Sequence, residues 1–315
     1  MMRAVVTGAA GFIGSHLCAH LLAAGDTVVG IDALTDYYDP ALKSRNLSEL
    51  VPHPAFIWRH ADLLEADLGP LLDGAEVIYH LAGQPGVRPS WGPEFTRYAD
   101  RNLLATQALI EAARQLRLRK FVYASSSSVY GNAPTFLTPE TVCPRPVSPY
   151  GVTKLAAEHV CELYRTAYGL PSVSLRLFTV YGPRQRPDMA FARLIDAALT
   201  GEPFPLHGDG EQTRDFTFVR DVVTAMRAAA CAGFTGVANL GGGCPVSMKQ
   251  AVATVEQLVG PVTLEPRPGG PGEARHTGAD ITLAAREFGY RPRTDLYDGL
   301  AAMVRHTMAW RCLDG

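Results

Sequence analysis

Tyr150 and Lys154 are spaced for proton transfer. They stand as Tyr-x-x-x-Lys, which places both side chains on one face of a helix, one turn apart. A phenol with a pKa of about 10 is a poor base at neutral pH, and a nearby ammonium group lowers that pKa. Lowering it by about 3 units requires about 4 kcal/mol, comparable with one unit charge at about 4 Å and an effective dielectric constant of about 20. The chain has only four lysines, so chance pairing is a weak explanation, and we predict Tyr150 as a base that Lys154 activates.

A run of serines precedes this pair. Ser125–Ser128 follow Lys120–Ala124, a β-branched and apolar stretch that predicts a strand. A hydroxyl at the end of that strand can hydrogen-bond an alcohol that is being oxidised, and the candidates are Ser126, Ser127 and Ser128. The alternative is that the run only forms a turn, for which serine is a common residue.

Three glycines near the N-terminus predict a dinucleotide site. Gly8, Gly11 and Gly14 lie between a predicted strand and a predicted helix. In that setting the first glycine permits a tight turn, the second lets the backbone approach a pyrophosphate, and the third lets helix and strand pack closely. The helix starts at Phe12-Ile13, where free N–H groups attract phosphate. A tight turn without a ligand is the alternative.

Residues after the next three predicted strands extend this site. Asp32 ends the second strand, where a carboxylate hydrogen-bonds the adenosine ribose hydroxyls and repels a 2′-phosphate, which favours NAD over NADP. Asp32 could instead cap the segment that follows it. Asp62-Leu63 follow the third strand and Ala82-Gly83-Gln84 the fourth, so we expect these loops to flank adenine and the nicotinamide half of the cofactor.

The pattern of apolar residues predicts the strands and helices that position these side chains. From residue 3 to about residue 180, short β-branched runs alternate with longer helical stretches, which is typical of βαβ units. The predicted strands are Ala4–Thr7, Thr27–Ile31, Ala55–Trp58, Val77–His80, Lys120–Ala124 and Ser172–Leu177. The predicted helices are Phe12–Ala24, Pro93–Leu116 and Pro149–Tyr168. We therefore predict an α/β fold, a doubly wound parallel sheet of the Rossmann type that binds ligands at the carboxyl ends of its strands.

After residue 180 the elements become shorter and are separated by Gly and Pro. We predict an NAD-binding domain over residues 1–180, to which a segment near residues 215–245 returns, and a smaller α/β substrate lobe over residues 181–315. Pro266–Gly272 is the most linker-like stretch. Because a strong helical pattern over Asp298–Trp310 follows it, we interpret it as a structured loop beside the cleft.

Composition excludes several kinds of partner. A net charge of −2 and a pI near 6.5 give no overall attraction to nucleic acid or to anionic membranes. No uncharged apolar run reaches the roughly 18 residues that a membrane span needs. The six cysteines lie far apart and lack metal-ligand spacing. We therefore predict reduced thiols in a cytoplasmic protein, and no metal site.

Together these motifs resemble the extended short-chain dehydrogenase/reductase family of nucleotide-sugar enzymes. The resemblance covers nearly the whole chain, since Arg176–Pro183 and Gly208–Phe216 are similar to its substrate-lobe motifs. Asp36–Asp39, Gly86–Arg88 and Arg186–Ala190 are similar to its UDP-glucuronate 4-epimerase branch. The resemblance implies an opening step in which a tyrosinate takes the O4 proton of the sugar while hydride leaves C4 for NAD.

The positions after the hydroxyl residue separate the reactions of that family. Alignment on Val129–Gly131 makes Ser126 the hydroxyl residue, and the family's dehydratases and decarboxylases carry carboxylates where Ser127 and Ser128 stand. The resemblance therefore implies C4 epimerisation, interconverting UDP-glucuronate and UDP-galacturonate with NAD recycled. The alternatives are an epimerase of neutral UDP-hexoses, another nucleotide-sugar oxidoreductase, and a non-catalytic NAD-sensing regulator.

The resemblance also implies substrate contacts. We hypothesise that Thr179 and Arg186 hold the uronate carboxylate near the ring plane, with Arg186 in a bidentate contact. Arg214 is expected at the UDP diphosphate, Arg88 in the sugar pocket and Glu273 at the ribose. The alternatives are a solvated or phosphate-binding Arg186 and a purely structural ion pair at Arg214.

Two predicted helices raise the question of a partner subunit. Pro93–Leu116 and Pro149–Tyr168 can present apolar faces for a four-helix contact, so we expect a homodimer. The same apolar stripes could instead serve only the sheet.

Overall fold

The structure is a computed structural model that describes residues 1–268 and 274–314. The strands are β1 (Arg3–Thr7), β2 (Thr27–Asp32), β3 (Phe56–His60), β4 (Val77–His80), β5 (Lys120–Ser126), β6 (Ser172–Leu177), β7 (Thr179–Tyr181), β8 (Phe204–His207), β9 (Thr213–Arg214), β10 (Phe216–Phe218), β11 (Gly236–Leu240), β12 (Val246–Ser247) and β13 (Leu264–Arg267). The α-helices are α1 (Phe12–Ala23), α2 (Pro40–Ser48), α3 (Leu68–Leu72), α4 (Phe95–Tyr98), α5 (Ala105–Ala113), α6 (Pro149–Tyr168), α7 (Ala190–Thr200), α8 (Val219–Cys231), α9 (Met248–Leu258), α10 (Thr282–Phe288) and α11 (Leu296–Asp314).

One large sheet contains seven strands in the order β11-β6-β5-β4-β1-β2-β3. Every pairing within it is parallel. The six strands predicted from the sequence all lie in this sheet, which confirms the doubly wound α/β fold. The strand order reverses between β1 and β4, so a crevice is expected at the carboxyl ends of these two strands.

Successive side chains of each strand point to opposite faces of the sheet, so apolar residues form a core on both faces. Val5 and Val6 of β1 are fully buried and point to opposite faces. Val6 belongs to the apolar cluster that includes Leu17 of α1 and Val222 of α8. Val5 belongs to the cluster that includes Leu109 of α5. Full burial of one such side chain contributes about 1.5–3 kcal/mol, so both helical layers are held firmly.

The remaining strands form pairs around a separate core. β7 pairs with β10, β8 with β13 and β9 with β12. Leu194 of α7, Val252 of α9 and Leu300 of α11 belong to a third apolar cluster beside them. By contrast, α10 contacts α8 and β11, so the chain touches the large sheet again late in the sequence. The domain boundary at residue 180 stays a prediction.

No helix within residues 1–268 and 274–314 is long and apolar enough to cross a membrane. All six cysteines are free thiols. Cys18 and Cys161 are buried, and burial raises the pKa of each thiol well above its ordinary value.

The predicted helix over Pro93–Leu116 is helical from Phe95 to Ala113, but it is not a regular α-helix throughout. A π-helical segment, Ala99–Leu104, separates α4 from α5. The physical reason is the buried Asn102, whose amide reaches the loop after β4. Its Oδ1 accepts a hydrogen bond from Gln84 N at 2.7 Å, and its Nδ2 donates to Gln84 O at 3.1 Å. A wider turn of this kind often occurs at a functional site.

A buried ion pair ties α6 to the centre of the sheet. The guanidinium of Arg176 on β6 donates to both carboxylate oxygens of Glu158, at 2.6 and 3.1 Å. Ser125 on β5 adds a third donor to Glu158 Oε2 at 2.7 Å. The side chains of Arg176 and Glu158 are only 5% and 4% exposed. Removing either partner would therefore leave a charge buried without its counterion.

We expect Arg176→Met to lower the free energy of unfolding by about 3–5 kcal/mol, because Glu158 loses its counterion in a dry environment. The double variant Arg176→Met/Glu158→Leu should recover most of this loss. Urea unfolding of the three proteins measures the difference. Arg165→Met breaks the half-exposed pair with Glu162 on the same helix and should cost less than about 1 kcal/mol. Equal losses at the two sites would contradict the prediction.

Candidate active site

A cleft of about 760 Å³ opens at the carboxyl ends of the large sheet. Elements of the large sheet and of the third apolar cluster both line it. The predicted site residues within the described range all lie along this cleft, namely Gly8, Gly11, Phe12, Ile13, Gly14, Asp32, Asp62, Leu63, Ala82, Gly83, Gln84, Arg88, Ser126, Ser127, Ser128, Tyr150, Lys154, Thr179, Arg186 and Arg214. Glu273 lies outside the described residues.

The glycines at the turn between β1 and α1 leave no room for larger side chains. Gly8 has a φ of +73°, and a Cβ on Gly14 would lie 2.0 Å from the Gly8 carbonyl oxygen. Helix α1 begins at Phe12 after the N-cap Gly11, and no side chain in the described part of the chain caps it. Bare backbone and free amides at a helix start fit a pyrophosphate. The turn therefore suits the dinucleotide that the sequence predicts.

Asp32 ends β2 beside this turn, with both carboxylate oxygens fixed by backbone. Oδ2 accepts from Ala10 N at 3.1 Å and Oδ1 from Leu34 N at 2.8 Å. A carboxylate has about four acceptor positions, so lone pairs remain for ribose hydroxyls. The helix-capping role falls instead to Asp39, which accepts from Ala41 N at the start of α2.

Two neighbouring residues of the π-helical segment hold the loops after β3 and β4. Arg101 pairs with Asp62, and although burial opposes it, this hydrogen bond keeps the pKa of Asp62 below its ordinary value. Asn102 holds Gln84 as described above. A Cβ on Gly83 would lie 2.7 Å from Asn102 Oδ1, so glycine lets the loop and Asn102 approach this closely. Asp62 thus enters the cleft with its carboxylate already paired.

Helix α6 delivers Tyr150 to the serine run. Ser148 caps the helix by accepting from Gly151 N at 3.1 Å, and Pro149 occupies the first turn. Gly151 allows a close approach, because a Cβ there would lie 2.6 Å from the carbonyl oxygen of Ser128. The first turn of α6 is consequently fixed against the end of β5.

Ser126 is the serine that faces Tyr150. Burial raises the pKa of the Tyr150 hydroxyl, while a hydrogen bond with Ser126 and the positive charge of Arg186 lower it. Ser126 Oγ also accepts from Ser128 N at 3.2 Å, so it has a turn-forming role as well. Ser125 instead donates to the buried Glu158. In the protein alone, burial outweighs the neighbouring groups and favours the neutral phenol.

Lys154 lies one turn after Tyr150 and is 7% exposed. Its ammonium sits 4.5 Å from the ring centroid of Tyr123. Burial lowers the pKa of Lys154 to about 8, and the negative charge of Glu158 opposes that shift. The sequence assigned the lowering of the Tyr150 pKa to Lys154. In the protein alone the positive charge of Arg186 also lowers this pKa, and the role of Lys154 stays a prediction.

The cleft is also lined by Arg88, Arg186 and Arg214. The side chain of Arg186 is 18% exposed, and its Nε and Nη2 donate to the two carboxylate oxygens of Asp188 at 3.0 and 3.1 Å. Thr179 begins β7 in the same cleft. Arg214 Nη1 donates to Thr213 O at 2.9 Å, which anchors its guanidinium. Arg88 lies at the start of a short 3-10 helix along the cleft.

Sequence reasoning missed the residues that position these groups. Arg101 and Asn102 stand in a stretch with ordinary apolar periodicity, which carries no signal for a π-helical segment. Tyr37 and Asp188 lie in motifs noted for their resemblance to a family branch, but they are 151 positions apart. Only the fold brings the Tyr37 hydroxyl within 3.3 Å of Asp188 Oδ2.

A family model described as the NAD dependent epimerase/dehydratase family matches residues 4–241. Among solved structures, the UDP-glucuronic acid 4-epimerase from Bacillus cereus in complex with UDP-glucuronic acid and NAD superposes with a TM-score of 0.95. It is 43% identical, and the match covers 98% of this chain and 100% of that one.

Two further relatives have different names. An uncharacterised UDP-glucose epimerase of Bacillus subtilis is 46% identical over 314 residues, covering 97% of this chain and 98% of its own length. A UDP-glucose 4-epimerase of Mycolicibacterium smegmatis is 39% identical over 312 residues, covering 96% and 97%. Similarity therefore extends over whole chains, while the sugar named differs among the relatives.

The burial of Lys154 predicts a pH-dependent stability. Between pH 8 and 10.5 the unfolded chain binds more protons at this lysine than the folded one, so stability rises with pH there. We expect Lys154→Met to be more stable than the wild type at pH 7 by up to about 3 kcal/mol, with the difference shrinking towards pH 10.5. Urea unfolding at pH 7, 8.5 and 10 measures it.

Lys249→Met is the matched control, because Lys249 is exposed and pairs with Glu211. Its difference from the wild type should be small at every pH. A Lys154→Met difference that grows with pH would contradict the assigned burial effect.

Proposed function

The chain belongs to the NAD dependent epimerase/dehydratase family, and on that premise we propose that it is an NAD-dependent 4-epimerase that interconverts UDP-glucuronate and UDP-galacturonate. The observation that carries the proposal is that Tyr150, Ser126 and Arg186 line one cleft at the carboxyl ends of the large sheet. A proton-transfer group and a carboxylate-binding group thus share one sugar-sized space.

The glycine turn and Asp32 support NAD as the cofactor. The amides at the start of α1 would hold the pyrophosphate, and Asp32 would hold the adenosine ribose. Ala82-Gly83-Gln84 would flank the nicotinamide half, with Asn102 keeping that loop in place. When bound, NAD supplies the redox chemistry, because it takes up hydride from C4 of the sugar and gives it back.

Tyr150 moves the proton in this scheme. Its hydroxyl oxygen takes the O4 proton as the C4–O4 bond becomes a carbonyl, and it returns the proton when the alcohol forms again. Ser126 hydrogen-bonds Tyr150 and orients O4. The raised pKa of Tyr150 in the protein alone means that the base must be activated by charges brought with the ligands or by Lys154.

The residues after Ser126 decide the fate of the 4-keto sugar. Ser127 and Ser128 present hydroxyls where elimination would need an acid–base carboxylate. The keto sugar therefore keeps its substituents, turns its other face to the cofactor and is reduced to the C4 epimer.

Arg186 and Thr179 support a uronate substrate. A 4-keto uronate is a β-keto acid: if its C5–C6 bond aligns with the carbonyl π-system, carbon dioxide leaves, the electron pair forms an enolate, and C5 takes a proton. A guanidinium that binds the carboxylate in two places holds it near the ring plane and opposes that alignment. We assign this role to Arg186, with Thr179 as a second contact.

Three further residues are assigned to parts of the substrate. Arg214 is proposed for the diphosphate and Arg88 for the sugar pocket, and Glu273 for the ribose. We propose that residues 1–180 with a segment near 215–245 bind NAD, and that residues 181–315 form most of the substrate lobe. The free thiols support a cytoplasmic location, where cysteines stay reduced.

Epimerisation of neutral UDP-hexoses is the second candidate. The names of the Bacillus subtilis and Mycolicibacterium smegmatis relatives favour it. The guanidinium of Arg186 favours the uronate, because a group that pairs with Asp188 through one edge can bind a substrate carboxylate through the other, and a neutral hexose has no such carboxylate.

A homodimer is proposed on the exposed apolar residues of two adjoining helical segments. Leu104 is 50% exposed, and Val152 and Leu163 on α6 are 47% and 58% exposed. Val152 and Leu163 are three turns apart and share one face of the helix. A second copy of this face would cover them.

Purified protein with UDP-glucuronate should form UDP-galacturonate without net NADH, followed by NMR of the C4 proton and by absorbance. Tyr150→Phe should lower kcat by about 100-fold or more, because the proton acceptor is lost. A pentose product would overturn the proposed reaction, and conversion of UDP-glucose alone would establish the second candidate.

Arg186→Ala should raise KM for UDP-glucuronate and increase the pentose fraction, while KM for UDP-glucose changes little. The measurement is the product ratio by anion-exchange chromatography. Unchanged binding and turnover of UDP-glucuronate would remove the carboxylate role of Arg186.

Val152→Arg/Leu163→Arg should give a monomer by light scattering, because two charges per subunit would be desolvated in the contact. Arg substitution of the exposed Leu264 on β13 is the control and should leave the mass unchanged. A wild type that is already monomeric would contradict the homodimer.

A further inference from the structure

Asp188 accepts hydrogen bonds from one edge of the Arg186 guanidinium. The two hydrogen bonds run from Nε and Nη2, at 3.0 and 3.1 Å. A guanidinium has two bidentate edges, and the second is formed by Nη1 and Nη2. The pair with Asp188 therefore orients the plane of the group and leaves its second edge for another carboxylate.

Asp188 is itself held in place. The Tyr37 hydroxyl donates to Asp188 Oδ2 at 3.3 Å, and the Tyr37 ring centroid lies 5.8 Å from the centre of the Arg186 guanidinium. Gly86 lies close to the same hydroxyl, since a Cβ on Gly86 would come within 2.5 Å of the Tyr37 oxygen. Gly86 has a φ of +99°, so this close approach suits glycine.

The result is a chain of contacts from the loop after β4 to the sugar pocket, running Gly86, Tyr37, Asp188, Arg186. The Asp188 side chain is 40% exposed and that of Arg186 18%. The carboxylate thus stands at the rim and the guanidinium further in. An arginine without such a partner has several rotatable bonds and no fixed plane.

We propose that Asp188, steadied by Tyr37, is a positioning residue that sets the plane in which Arg186 receives the C6 carboxylate of the sugar. The proposal rests on the proposed uronate specificity. Asp188 does not touch the reacting atoms, and it acts through Arg186. Its contribution is to hold the carboxylate in the orientation that opposes loss of carbon dioxide.

The experiment compares Asp188→Asn, Tyr37→Phe and wild type with UDP-glucuronate and with UDP-glucose. We expect Asp188→Asn to raise KM for UDP-glucuronate about 3- to 10-fold, as for one weakened charge-assisted contact, and to raise the pentose fraction. Tyr37→Phe should shift both readouts in the same direction by less. The pentose fraction is a ratio of products, so partial loss of folded enzyme does not move it.

Asp196→Asn is the matched control, since Asp196 is an exposed aspartate that pairs with Arg311. An unchanged pentose fraction in both Asp188→Asn and Tyr37→Phe overturns the proposal. A lower KM for UDP-glucuronate also overturns it, because Asp188 would then compete with the substrate for Arg186. A wild type that makes no UDP-galacturonate overturns the proposed function itself, which is a separate outcome.

Discussion

All strands of the large sheet run in one direction, so the loop after every strand lies along the same edge. The glycine turn after β1, Asp32 at the end of β2, the loop after β4 and the serines that end β5 are distant in sequence. Parallel pairing brings them to one crevice. Because the strand order reverses between β1 and β4, helices leave to opposite faces there, and the crevice opens between them.

Buried polar bonds then make this edge rigid. Asn102 is the clearest case, because it hydrogen-bonds Gln84 after β4 and Thr153 on α6, the helix that carries Tyr150. Glu158, one turn beyond Lys154, accepts from Ser125 and from Arg176. In a dry interior each such group costs free energy if it is left without a partner, so the bonds resist displacement of the catalytic helix.

Charge is distributed so that a nearly neutral protein can receive an anionic sugar nucleotide. Positive groups are placed inside the cleft, where Arg186 and Arg214 are held by Asp188 and by the Thr213 carbonyl. Lys154 carries a desolvation cost, seen in its pKa of about 8. Such a cost is typical of functional sites, where stability is given up for a group of altered acidity.

The sequence by itself determined the sheet, the glycine turn and the Tyr150/Lys154 pair, because strand alternation, glycine spacing and helical periodicity are properties of neighbouring residues. Through its resemblance to a known family it also restricted the reaction, since that family's dehydratases and decarboxylases carry carboxylates where Ser127 and Ser128 stand. It left Ser126, Ser127 and Ser128 equivalent as hydroxyl donors on chemistry alone.

Tertiary structure decided the rest. It selected Ser126 as the neighbour of Tyr150, replaced a regular helix by a π-helical segment at Asn102, and joined Tyr37 to Asp188. It also brought Arg186 close enough for its positive charge to lower the pKa of Tyr150. These outcomes depend on distances between residues that are far apart in the chain, and on burial, which no local pattern of residues encodes.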